Sequence, residues 1–221
     1  MKMFSTIGRI GRIGRAAIGL GLVLSTASCA SQFTRSGRSP AFLVIDKIEA
    51  ASGAKSTEYG GQLSSDVVTL VKRTVGGKET YVPTIFADPG KVTMRLGLKN
   101  PGTTELPASP TGINEITVTR YHVSYRRTDG RNAPGVDVPF GFDGGVTATV
   151  TTKDAISFGF ELVRIQAKLE PPLLNLEYSG GANVISVIAE ITFYGRDQAG
   201  NEVTVAGAIS VDFSDWGDPV S

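Results

Sequence analysis

From about residue 41 onward the chain is built of short apolar runs separated by turn-forming residues. β-Branched and aromatic residues gather in "AFLVIDKI" (41–48), "DVVTLVKRTV" (66–75), "TYVPTIF" (80–86) and "KVTMRLGLK" (91–99), bounded by Gly, Pro, Asn and Asp. The pattern returns in "EITVTRYHVSYRR" (115–127), "GVTATVTT" (145–152), "NVISVIAEITFYGR" (183–196) and "EVTVAGAISVDF" (202–213). The run "ISFGFELVRIQAKL" (156–169) reads as a further strand, with a helix carrying Phe160, Val163 and Ala167 on one side as the alternative. About nine short strands without intervening helices predict an all-β body, a β-sandwich. Whether 41–90 belongs to that sandwich or adds edge strands stays open. Pro171-Pro172 before "LLNL" predicts a stiff crossover between sheets.

The first forty residues follow another pattern. Lys2, Arg9, Arg12 and Arg15 form a positive flank without acids, and Ala16 to Ser28 is an apolar stretch ending at Cys29. This is the three-part layout of a secretory signal. It falls short of the roughly 20 apolar residues that span a bilayer. Gly8, Gly11, Gly14, Gly19 and Gly21 give no G-x-G-x-x-G spacing, and no strand precedes them, so a dinucleotide loop is excluded. Residues 30–40, "ASQFTRSGRSP", read as a short polar tether. The expected organisation is therefore a signal peptide over 1–28, a modified Cys29 with its tether over 29–40, and a β-sandwich domain over 41–221.

Two resemblances sharpen this reading. The run Thr26-Ala27-Ser28-Cys29 resembles a bacterial lipobox at its last three positions, with Thr26 where that family usually has Leu. The resemblance implies cleavage before Cys29 and attachment of lipid, a diacylglyceryl group and often an N-acyl chain such as palmitate, to that residue. Ala30 and Ser31 follow, neither being the Asp that retains such lipoproteins in the inner membrane, which implies the outer membrane. The second resemblance lies in the body. The hairpin "YGRDQAGNEVTV", with Asp197, Gly200 and Asn201 at its tip, resembles the last hairpin of bacterial immunoglobulin-like and fibronectin type III-like domains. "GLKNP" (97–101) resembles a strand exit of the same class. Together they imply an immunoglobulin-like antiparallel β-sandwich preceded by a signal and lipid-anchor segment.

Charge and cysteine usage fit. Removal of residues 1–28 leaves 18 basic against 21 acidic residues, a net charge near −3 without a basic run, which argues against nucleic acid as a partner. Cys29 is the only cysteine, so no disulfide staples the body, and core burial must hold it. A thioether-linked lipid would remove an exported free thiol. The membrane, through the amino-terminal anchor, is the expected partner, together with an envelope protein or a glycan.

Candidate chemistry in the body is sparse. His122 is the only histidine, and strand alternation puts Tyr121, Val123 and Tyr125 inward and Arg120, His122, Ser124 and Arg126 outward. Between two arginines and with no carboxylate to orient it, His122 makes a poor catalytic base. No G-x-S-x-G elbow occurs, and one His with one Cys cannot build a zinc site. Asp212, Asp215 and Asp218 supply oxygens for a weak calcium site, against their ordinary use as strand-end acids. Asp143 in "FGFDGG" reads as part of a turn. Trp216, Phe213 and Tyr194 either form an aromatic patch or close the core, and core is the favoured reading. Glu161, Glu177 and Glu190 are the suspects for a hydrolase using carboxylates alone. The expectation is a non-catalytic, cofactor-free cell-envelope lipoprotein that binds a partner or serves as a structural module. An envelope hydrolase and an assembly subunit docking through a sheet edge are the alternatives.

Overall fold

The computed structural model describes residues 38–216. The chain forms β1 (Ala41–Ala50), β2 (Gln62–Asp66), β3 (Thr69–Val75), β4 (Lys78–Thr84) and β5 (Asp88–Leu98). It continues through β6 (Ile116–Arg126), β7 (Phe142–Val150), β8 (Ile156–Val163), a single-turn helix α1 (Ile165–Lys168), β9 (Ile185–Asp197) and β10 (Glu202–Ser214). One sheet has the order β1-β5-β8 and the other β2-β10-β9-β6-β7, while β3 and β4 pair only as a two-stranded ribbon. The body is an all-β sandwich of a three-stranded sheet and a five-stranded sheet. Every pair is antiparallel except β2, which runs parallel to β10 from Gln62↔Ser210 to Asp66↔Ser214 and so departs from the expected antiparallel arrangement. Its position follows from β1: β1 ends in the first sheet, and the chain crosses over to continue along the far edge of the second.

Alternation builds the core. In β6, Ile116, Val118, Tyr121, Val123 and Tyr125 are buried; the shift of parity after Val118 comes from a bulge at Thr119. In β9, Val187, Ala189, Ile191 and Phe193 face the same interior. From the opposite sheet Phe160 meets Phe193 edge-on at 5.4 Å and 89°, and meets Tyr121 at 5.4 Å. Edge-to-face stacking of this kind adds to the free energy of burial itself.

Three expectations need correcting. The strand read over 156–169 stops at Val163, because Arg164 leads into α1 and Lys168 turns its side chain into the interior. The run read over 66–75 divides into the last residue of β2, Asp66, and the whole of β3, with Val67 and Val68 buried between them. The last four residues of "FGFDGG", from Phe142 with Asp143, belong to strand β7, not to a turn: a Cβ on Gly144 would lie 2.2 Å from the Tyr121 ring, so glycine lets the strand cross that aromatic side chain. Pro171-Pro172 does lie in the crossover from β8 in one sheet to β9 in the other, ahead of a 3-10 turn over Leu173–Leu176.

The two ends of the sandwich differ. At the near pole the chain comes in beside the β9–β10 turn: Ser39 is buried and the Pro40 carbonyl accepts from the Lys99 amide at 2.9 Å. At the far pole lie the ends of β1, β2, β8 and β10, the loops 51–61, 127–141 and 164–184, and the β3–β4 arm.

Candidate functional site

The far pole is organised around a buried cation. Lys168, fully buried, donates from Nζ to the Asp66 carbonyl at 2.7 Å and lies 3.0 and 2.9 Å from the two carboxyl oxygens of Asp88. Asp88 is equally buried; its Oδ2 accepts from the Ser65 hydroxyl at 2.6 Å and its Oδ1 from the Gly53 amide at 2.8 Å. Gly53 can approach so closely because it has no side chain: a Cβ there would sit 2.2 Å from the Ala87 carbonyl oxygen. Every hydrogen-bonding group in this node is matched, as burial of a charged pair requires. The node joins β2, the start of β5, the loop after β1 and α1.

Beside it opens a cleft of about 380 Å³, lined among others by Ser52, Lys55, Glu58, Asp66, Thr69 and Trp216. The Asp66 carboxylate accepts from the Trp216 amide at 2.8 Å and from the Thr69 hydroxyl at 2.5 Å. Its pKa is nevertheless raised, chiefly by burial and further by the charge of Asp215, against the opposing pull of Thr69, Trp216 and Lys168. The cleft therefore offers a partly buried acid, hydroxyls and the side of an indole. That set suits hydrogen bonding and stacking.

The far pole also carries exposed apolar side chains. Among the described residues, nine of the twelve large exposed hydrophobic side chains sit on far-pole loops or on the arm; Phe42, Leu106 and Ile113 are the exceptions. Ile165, Leu169, Leu174 and Tyr178 lie on the 164–184 segment, and Tyr178 is 71% exposed. The arm adds Val75 and Tyr81 and carries Lys72, Arg73 and Lys78 against Glu79. Among the described residues the ribbon forms a sheet of two strands only, and exposed ribbon edges of this kind can serve for strand addition.

The structure separates most of the side chains singled out in the sequence. His122 lies outward on β6 as expected, but it does have a carboxylate: Asp143 on β7, its register partner, places Oδ1 3.3 Å from His122 Nδ1 and 3.3 Å from the Arg120 guanidinium. The absence of an orienting acid was therefore a wrong expectation, made because Asp143 was assigned to a turn. Phe213 is core and stacks edge-on against Tyr125 at 6.0 Å, Tyr194 lies under the Arg120 guanidinium at 3.9 Å, and Trp216 lines the cleft. They form no common patch. Glu161 is outward on β8 and Glu190 outward on β9, so they point away from each other on opposite sheets, paired with Arg164 and Arg126. Glu177 follows the 3-10 turn in the crossover.

Asp212 accepts from the Gln62 amide at 2.6 Å, whereas Asp215 is buried and its Oδ2 accepts from the Gly180 amide at 3.4 Å. Asp218, Cys29, the signal segment and most of the tether lie outside the described residues. Among the described residues no three His, Cys, Asp or Glu side chains gather closely enough to hold a metal ion.

Sequence reasoning missed Lys168, Asp88 and Ser65 altogether. A lysine in an alternating run reads as a solvated face, and nothing local marks its partner 80 residues away. Comparison of the chain with protein families, curated proteins and solved structures finds no match.

Proposed function

We propose that the protein is a lipid-anchored lipoprotein of the bacterial cell envelope, held in the outer membrane, whose sandwich body is a non-catalytic binding module. The far pole docks an envelope protein or glycan. The anchor rests on the basic flank, the apolar run and the lipobox-like residues that end at Cys29. The observation that carries the docking reading is the gathering of exposed apolar side chains at the pole opposite the incoming chain. Soluble monomers rarely expose apolar surface in one concentrated region without a partner for it. A tether fixed at the near pole turns the near pole to the membrane and leaves the far pole free. The cleft with Asp66 and Trp216 supplies polar contacts at the same pole.

The test has two arms. Cells fed a clickable fatty acid should label the wild-type protein in the membrane fraction, and Cys29→Ser should lose the label and become soluble. Loss of neither would end the anchor reading. A photo-cross-linking amino acid at Leu169 or Tyr178 should form adducts in native envelopes, whereas one at Leu106 or Ile113 should not. Adducts of equal yield from both poles would end the docking reading.

A further inference from the structure

The contact between Lys168 and Asp88 holds an amine against a carboxyl group, and nothing in the docking reading uses it. Both side chains are 1% exposed or less. Nζ cannot drift away, because the Asp66 carbonyl accepts from it at 2.7 Å while the carboxyl oxygens stand at 2.9 and 3.0 Å. As an ion pair the two groups keep opposite charges in a dry interior, and each charge bears a desolvation penalty. Transfer of one proton from Nζ to the carboxylate neutralises both. Condensation then removes the two ionisable groups for good, and fixed proximity supplies the entropy that such a step ordinarily lacks.

We propose that Lys168 and Asp88 condense to a side-chain amide that staples α1 to the start of β5. Lys168 Nζ first passes a proton to Asp88 Oδ2, giving a neutral amine and a carboxylic acid. The Nζ lone pair attacks Cγ, an N–C bond forms, and the carbonyl π pair moves onto Oδ1. There the Gly53 amide, 2.8 Å away, donates to the developing oxyanion. A second proton leaves Nζ for Oδ2, relayed by the Ser65 hydroxyl, which stands 2.6 Å from that oxygen. The Cγ–Oδ2 bond breaks, Oδ2 departs as water, and the pair on Oδ1 reforms the carbonyl. One N–H remains on Nζ, directed at the Asp66 carbonyl. One water is lost and nothing is oxidised or reduced.

The product ties residues 80 apart in a chain whose body contains no cysteine. A covalent cross-link of that span restricts the unfolded state much as a disulfide does.

Full-length protein purified from membranes, denatured and digested with trypsin, decides the matter by mass spectrometry. The expected product is peptide 79–91 joined to peptide 165–196, at the sum of their masses less one water, with no cleavage after Lys168. Recovery of 79–91 alone, with cleavage after Lys168, would overturn the proposal. Ser65→Ala should lower the linked fraction at least several-fold in freshly synthesised protein; unchanged linkage would remove Ser65 from the mechanism.

Discussion

Tyr125 crosses the interior from β6 and donates its hydroxyl to the Leu162 carbonyl of the opposite sheet at 2.6 Å. Burial, reinforced by the charge of Asp88, pushes its pKa far up, so the hydroxyl stays protonated and remains a donor. Tyr125→Phe keeps the ring against Phe213 but strands that carbonyl, and should cost about 1–2 kcal/mol in urea unfolding. Asp197 gives a pH-dependent counterpart. Burial alone would raise its pKa, but donors from Asn201, Ser39 and Ala199 outweigh it and hold the carboxyl below the usual range. A group with a depressed native pKa stabilises above its unfolded value and loses that contribution as pH falls through the native one. Asp197→Asn should therefore lie about 1 kcal/mol below wild type at neutral pH. The gap should close as pH falls below the ordinary Asp value of about 3.9; a gap that persists there would refute this role. Asp197 was legible in sequence because its partners, Ala199 and Asn201, are two and four residues away. Asp88 and Lys168 were not, because a node assembled from four segments leaves no local pattern.

Strands that bury one face along most of their length announce themselves, and β6, β9 and β10 were read nearly to their ends. β2 was missed because "QLSSD" has one large apolar residue, and its burial comes from lying beside β10. The β3–β4 ribbon is the opposite case, an element that the sequence marks clearly but whose strands, among the described residues, join no other strand. A free two-stranded hairpin is marginally stable in water. Since Leu70 and Pro83 are register partners, residues 71–82 can be replaced by Asn-Gly, which closes a two-residue turn. The shortened protein should unfold within about 1 kcal/mol of wild type, because the segment removed has little packing to lose. A loss of several kcal/mol in thermal or urea unfolding would show that the ribbon is part of the body. If docking uses its edges, far-pole cross-links should fall in the same variant.

For the whole molecule, the sequence conveyed the class of fold, but not that the body has two unlike ends. That polarity depends on which turns meet at each pole, which only pairing across sheets decides. It gives the envelope reading a geometric consequence. Ser39, ten residues after Cys29, is docked on the body, so in the envelope reading the anchor joins the body at the near pole. The ten residues of β1 extend about 33 Å from near to far pole. On that reading the near pole should average closer to the bilayer than the far pole. With Cys29 lipidated, a single new cysteine can be labelled selectively. A donor dye at Ala199, in the near-pole turn, should transfer energy to headgroup acceptors in vesicles more efficiently than one at Gly77, at the tip of the arm. Equal transfer from the two sites would mean that the body lies flat on the membrane. The far pole would then be no freer to meet a partner than the near one.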